Sequence, residues 1–171
     1  MARNPKPLDL DGLMAYAARA LAARAQSISE LRLKLKRKAA QAGDVEQVLA
    51  RLKQAGFLDD RKFAGSFANW RKENQGLGKE RVVRDLMSRR VAPAVARLAA
   101  ETAYSGADEI EMIENFLARK YRGKDLGALL VEEKHLASAF RKLRAAGFGA
   151  SNSIRVLKRY AAAAEELEEM E

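Results

Sequence analysis

Apolar residues recur along this chain at intervals of three and four, the spacing that places them on one face of a helix. Leu10, Leu13, Met14, Ala17 and Leu21 form the first stripe, after a turn-forming stretch at residues 4–7. Ser27-Ile28-Ser29-Glu30 follows, a capping-box sequence with Leu31 and Leu35 one turn apart behind it. Asp44 is placed to open a third helix, with Val45, Val48, Leu49 and Leu52 inward and Gly56 at its left-handed end. Asp59 or Asp60 caps a fourth, whose Phe63, Phe67 and Trp70 share a face.

The second half reads the same way. Beyond the Gly76-Leu77-Gly78 break, Val82 and Leu86 restart the stripe. Pro93 suits the first turn of a helix carrying Val95, Leu98 and Ala99. Asp108 introduces Ile110, Ile113, Phe116 and Leu117, and Leu136, Phe140 and Leu143 mark a helix ending at Gly147. Ile154, Leu157 and Tyr160 mark the last, which runs toward a Glu-rich tail. No stretch alternates with period two, and Leu126–Val131 reads as a buried connection or a helix start. One Thr, few Val or Ile and abundant Ala and Leu point the same way, to an all-α fold.

The pattern repeats. Ser27-x-x-Glu30-Leu31-x-x-Lys34-Leu35-x-x-Lys38 superposes on Gly78-x-x-Arg81-Val82-x-x-Asp85-Leu86-x-x-Arg89 with an offset of 51. The next helices align as Val45 with Val95. A third copy sets Leu143 against Leu35 and Leu86, then Ile154 against Val45 and Val95. A rival register pairs Ala55-Gly56-Phe57 with Ala146-Gly147-Phe148, one helix out of step. A small three-helix unit cannot easily bury its own apolar face, so neighbours stack into an elongated array. The divisions read from the pattern are an N-terminal tail at 1–9, a first repeat region with its leading helix at 10–74, a second repeat at 75–123 and a third at 124–164. An acidic tail follows at 165–171.

Charge narrows the partner. The net charge is +9, yet five Glu and no base stand in residues 165–171, so the body is more basic than the total. Such a field draws nucleic-acid phosphates or an acidic protein groove. The cations fall in clusters: Arg32, Lys34, Lys36, Arg37 and Lys38, then Arg81, Arg84, Arg89 and Arg90. Further along stand Arg119, Lys120, Arg122 and Lys124, then Arg141, Lys142 and Arg144, then Arg155, Lys158 and Arg159. Their recurrence predicts a basic stripe. Arg71 and Lys72 join it because they follow Trp70, the aromatic residue best placed to stack on a base. Helical spacing assigns Phe57, Phe63 and Phe67 to the core instead.

Catalytic chemistry finds little footing. His135 is the single His and no Cys is present, so a triad or thiolate metal site has no members. Gly76-Leu77-Gly78-Lys79 is too short for a phosphate loop and follows no strand. Asp59 and Asp60 precede Phe63 as helix caps rather than as a metal pair. The absence of Cys, of a signal-peptide core in Met1–Asp11 and of a membrane-length apolar run predicts a cytoplasmic protein.

The motif Leu52-x-x-x-Gly56-x-Leu58-Asp59-Asp60-x-x-Phe63-Ala64, with the Ser27–Lys38 segment before it, resembles the first repeat of the RecX family. The Gly78–Leu86 segment resembles that family's second repeat, and Ala146-Gly147-Phe148 with Ile154 and Leu157 its third. The resemblance covers roughly residues 10–160. Ala39 and Arg90 depart from it, standing where a Gly often closes the second helix. What it implies is an array of three tandem three-helix repeats acting on the RecA–single-stranded DNA filament. It further implies limits on filament growth, ATPase and strand exchange, and so a part in recombinational repair and the SOS response. Separately, the chain is expected to be a monomer. Binding to single-stranded DNA alone is expected to be weak, and no cofactor, metal or catalytic residue is implied. The alternative is a basic helical nucleic-acid-binding protein that acts without RecA.

Overall fold

The computed structural model describes residues 6–161, and the acidic tail lies outside them. Among the described residues the chain forms ten α-helices and no strand. They are α1 (Leu10–Ala23), α2 (Ile28–Lys36), α3 (Ala42–Gln54), α4 (Asp60–Trp70) and α5 (Lys79–Ser88). After them come α6 (Pro93–Tyr104), α7 (Glu109–Lys120), the short α8 (Leu126–Leu130), α9 (Glu133–Ala146) and α10 (Ala150–Leu157). A single π turn, Arg71–Gln75, extends α4 and ends at Gly76 in the left-handed region (φ 57°).

Side-chain caps set five of the ten helix starts. Asp9, Asp59 and Asp108 each accept backbone N–H bonds at the first turn of α1, α4 and α7. Ser27 and Glu30 complete the capping box of α2. Asp44 does not open α3: that helix starts two residues earlier, behind Gln41, and Asp44 lies in its first turn. The segment at 126–131 does begin a helix, with Leu130 fully buried and Val131 exposed.

Three apolar clusters organise these helices. Leu13, Leu31, Leu35, Val48 and Leu49 hold α1, α2 and α3 together, with Leu58 closing the cluster. Phe63, Ala64, Val82, Leu86, Ala96 and Ala100 join α4, α5 and α6. Ile113, Leu117, Leu136, Phe140, Phe148 and Leu157 join α7 to α10. Packing therefore groups α4 with the helices after it, whereas divisions at 74/75 and 123/124 place α4 and α7 with those before. Ser27 and Gly78 are the most visible breaks in the sequence, but they open the second helix of a unit. The Asp-capped helices open the first.

The offset of 51 holds across the first two units. Leu13 and Ala64, Ala17 and Ala68, Leu31 and Val82, and Leu35 and Leu86 are buried pairs. In the third helix the partner of Val45 is Ala96, not Val95, and Leu49 pairs with Ala100. Val95 is half-buried and stands one position out of register with Val45, against the alignment of the two read from the sequence. The rival register fails because Gly56 follows α3, the third helix of its unit, while Gly147 closes α9, which occupies the second-helix place.

One junction is built twice. The N-terminus of α2 meets the C-terminus of α5, where Ser27 Oγ donates to the Arg89 carbonyl (2.6 Å) and Asp60 Oδ1 accepts from Ile28 N (2.8 Å). The N-terminus of α5 likewise meets the C-terminus of α9. There Gly78 N donates to the Ala146 carbonyl (2.8 Å) and Glu80 N to that of Gly147 (3.3 Å). Each contact sets the positive end of one helix dipole against the negative end of the next. Asp59 and Asp60 thus divide their work: one caps its own helix, the other a helix of the preceding unit.

Arg90 takes the left-handed conformation (φ 62°) that Gly147 takes at the end of α9. Ala39, the first unit's equivalent, does not; Leu8 pairs with the strand-like segment beside it through Leu8 N to Lys38 O and Ala40 N to Leu8 O. Relief of roughly 1–2 kcal/mol of steric cost outweighs the extra unfolded-state entropy of Gly. Arg90→Gly is therefore expected to raise stability by up to about 1 kcal/mol, and Arg90→Val to lower it, in urea melts. Ser153 supplies a second stability test. Its hydroxyl is fully buried with no hydrogen-bond partner, so Ser153→Ala should gain about 1 kcal/mol; a loss of that size would show that the hydroxyl is satisfied.

Candidate partner-binding surface

The cations read from the sequence divide by what their side chains touch. Several are bound into the fold. Arg81 and Arg84 donate to the Ala145 carbonyl at the end of α9, and Arg81 also pairs with Asp85 (2.9 Å). Arg71 pairs with the other oxygen of Asp85 (2.9 Å) and bonds Gln75. Lys72 donates to the Ala103 carbonyl, Arg119 to that of Gln75 and Arg144 to that of Phe148. Lys34 donates to Gln26 Oε1, and Lys142 to the Tyr121 hydroxyl, whose ring it overlies at 5.0 Å. Arg89 lies 5.2 Å from the Phe67 ring and 5.7 Å from that of Phe63, and Lys38 lies 5.0 Å from that of Tyr16.

Others pair with acids in solvent. Arg32 donates twice to Glu46, a bond that raises the guanidinium's pKa and lowers the carboxyl's. Both groups are largely solvated, so the pair contributes little to stability. Arg159 pairs with Glu114. Lys36, Arg37, Arg90, Lys120, Arg122, Arg141, Arg155 and Lys158 are exposed. The basic stripe is thus two populations. One set of cations satisfies helix-end carbonyls and buried junctions; the other faces solvent.

The aromatic set also divides. Phe63 is buried and Phe67 half-buried, as core packing requires. Phe57 is 73% exposed and Trp70 51% exposed, far more than helical spacing implied for Phe57. Phe57 follows the left-handed Gly56 and leaves the helix face there, which periodicity alone does not register. Tyr104 carries no signal in the sequence, yet burial pushes its hydroxyl up to about 12, and it donates to the Leu77 carbonyl beside the second junction.

His135 lies beside Glu132, 3.5 Å from its carboxylate. Among the described residues no three His, Cys, Asp or Glu side chains are grouped to hold a metal ion. No helix there is long and apolar enough to cross a membrane.

Comparison with known proteins bears on this architecture. Residues 59–99 match the family model for the second three-helix domain of RecX, and the match begins at Asp59, the cap of the helix α4 that opens the second apolar cluster. The chain is 34% identical over 155 residues to the regulatory protein RecX of Deinococcus radiodurans, spanning 87% of this chain and 69% of that one. It is 28% identical over 109 residues to the regulatory protein RecX of Trichlorobacter lovleyi, covering 64% and 71%. The fold matches the crystal structure of RecX from Lactobacillus salivarius with a TM-score of 0.70 at 14% identity, over 88% of this chain and 96% of that one. A second crystal structure, of a regulatory protein RecX, matches at 0.66 and 19% identity, over 85% and 73%. With its tandem helical units and the identity to a curated relative over most of its length, the chain belongs to the RecX family of regulatory proteins.

Proposed function

We propose that this protein binds the RecA–single-stranded DNA filament and restrains it, limiting growth, ATPase and strand exchange without catalysing a reaction itself. The observation that carries this reading is family membership joined to a serial array of units with solvent-facing cations on each. Exposed Lys36 and Arg37 lie in the first unit, Arg90 in the second, and Lys120, Arg122, Arg141 and Arg155 in the third. A repeated partner with phosphates at regular intervals suits charges repeated on a stack of units. RecA's DNA-dependent ATPase, measured with this protein below stoichiometry, should fall, and the protein should co-sediment with filaments. Unchanged ATPase and no co-sedimentation would rule the reading out.

The strongly basic composition favours one other reading, binding to naked nucleic acid. That reading requires tight, steeply salt-dependent binding to oligonucleotides with no preference for the filament.

A further inference from the structure

The repeat creates the same groove twice, between the first helices of consecutive units. Leu21 and Ala22 of α1 line the first groove, and the residues 51 positions on, Lys72 and Glu73, line the second. The opposite wall follows an offset of 49. Asp59, Lys62 and Ser66 of α4 correspond to Asp108, Glu111 and Asn115 of α7. Equivalent in position, the two grooves differ in character. The second, of about 760 Å³, is charged where the first is not: Lys72 replaces Leu21, and Arg119 replaces Trp70.

The first groove, of about 1140 Å³, has an aliphatic floor of Met14, Leu21 and Leu52. Phe57 and Trp70, two of the exposed large apolar residues, both line it. Exposed aromatics converging on one apolar groove mark a binding site more than a chance surface. Its charged lining is Arg24, Lys62 and Arg89 against one carboxylate, Asp59. Glu30 holds Arg24 at 3.2 Å, and Asp59 accepts two backbone N–H bonds. No carboxylate among the described residues lies within ion-pair distance of Lys62 or Arg89.

From this we infer that the first groove docks an acidic, amphipathic segment of a protein partner. Its apolar side chains lie between Met14 and Trp70, and its carboxylates meet Lys62 and Arg89. Nucleotide stacking fits less well. The floor is aliphatic rather than flat, and the Phe63 and Phe67 rings are already covered by the Arg89 guanidinium. Apolar anchors held by a groove with a cationic rim are the usual physics of helix-in-groove recognition. The inference rests on the filament reading and assigns this groove to the filament's protein rather than its DNA.

The chain has no Cys, so Ala22→Cys at the groove edge accepts a single environment-sensitive fluorophore. Its emission should shift to the blue on adding RecA filaments and stay unchanged with the same oligonucleotide alone. A Phe57→Ala, Trp70→Ala double variant should keep its melting temperature, since both side chains are exposed, and lose at least tenfold in filament affinity. Lys62→Glu should weaken binding comparably and Lys62→Arg should restore it. A double variant that binds filaments within twofold of the parent overturns the inference while leaving the filament reading standing. A full response to the oligonucleotide alone reassigns the groove to nucleotides and overturns it too. Failure of the parent protein to bind filaments at all overturns both.

Discussion

Gly147→Ala is expected to lower stability by roughly 3 kcal/mol or more, and to loosen the third unit from the second. Two costs combine. Gly147 sits at φ 92°, where a Cβ costs about 1–2 kcal/mol by itself. A Cβ there would also stand 2.2 Å from Arg81 N, a backbone atom that moves only if the α5–α9 junction opens. Gly56 isolates the first cost: it has φ 76° with nothing within 4 Å, so Gly56→Ala should lose only the conformational share. Gly78 isolates the second: its φ is −74°, yet a Cβ would lie 2.2 Å from the Gly147 carbonyl oxygen. Urea denaturation of the three variants separates the two contributions. Equal losses at Gly147 and Gly56, with none at Gly78, would mean that the junction yields freely.

Those same glycines show what a sequence discloses and what it withholds. Gly147 is legible as a helix end because a left-handed terminus needs a residue without Cβ. That it also lies against Arg81, 66 positions away, has no local signature. Ser27 is similar. Its capping box is readable from four residues, but its bond to the Arg89 carbonyl depends on how two units stack. Helix existence, the all-α class and the 51-residue period follow from periodicity, which is a local property of each stripe. Unit boundaries do not, because α4 presents an apolar face whichever neighbour it joins. Only its small residues, Ala64 and Ala68 packed beside Ala96 and Ala100, show that α4 lies close to α6.

The candidate surface was legible as charge and not as geometry. Arg81 lies three residues from Arg84 and four from Asp85 on α5, and that spacing cannot tell a solvated pair from the Arg71–Asp85–Arg81 bridge that the fold makes. Arg84 reads as part of a stripe, yet its guanidinium reaches the Ala145 carbonyl. Composition counts such cations equally. Their free-energy roles differ, because a cation satisfying a helix C-terminus contributes to folding and an exposed one to encounter.

That division leads to the second large effect. Lys120→Glu, Arg122→Glu and Arg141→Glu together should reduce filament affinity by more than about tenfold at low salt, with little change in melting temperature. All three are exposed and lie in the third unit. Lys120 and Arg122 flank Tyr121, whose ring lies under Lys142, the neighbour of Arg141 in sequence. The triple change moves the net charge from +9 to +3 and reverses the local field where phosphates would approach. Raising salt should narrow the difference between the variant and its parent, since screening acts on exposed charges first. Arg81→Glu with Arg84→Glu is the informative contrast. It places carboxylates against the Ala145 carbonyl, and it is expected to destabilise the second junction in a melt even without partner present. If the exposed triple variant bound filaments as tightly as the parent at every salt concentration, the third unit's cations would have no part in binding. If the Arg81 and Arg84 variant melted normally and lost only filament affinity, those two would belong to the binding surface and not to the junction.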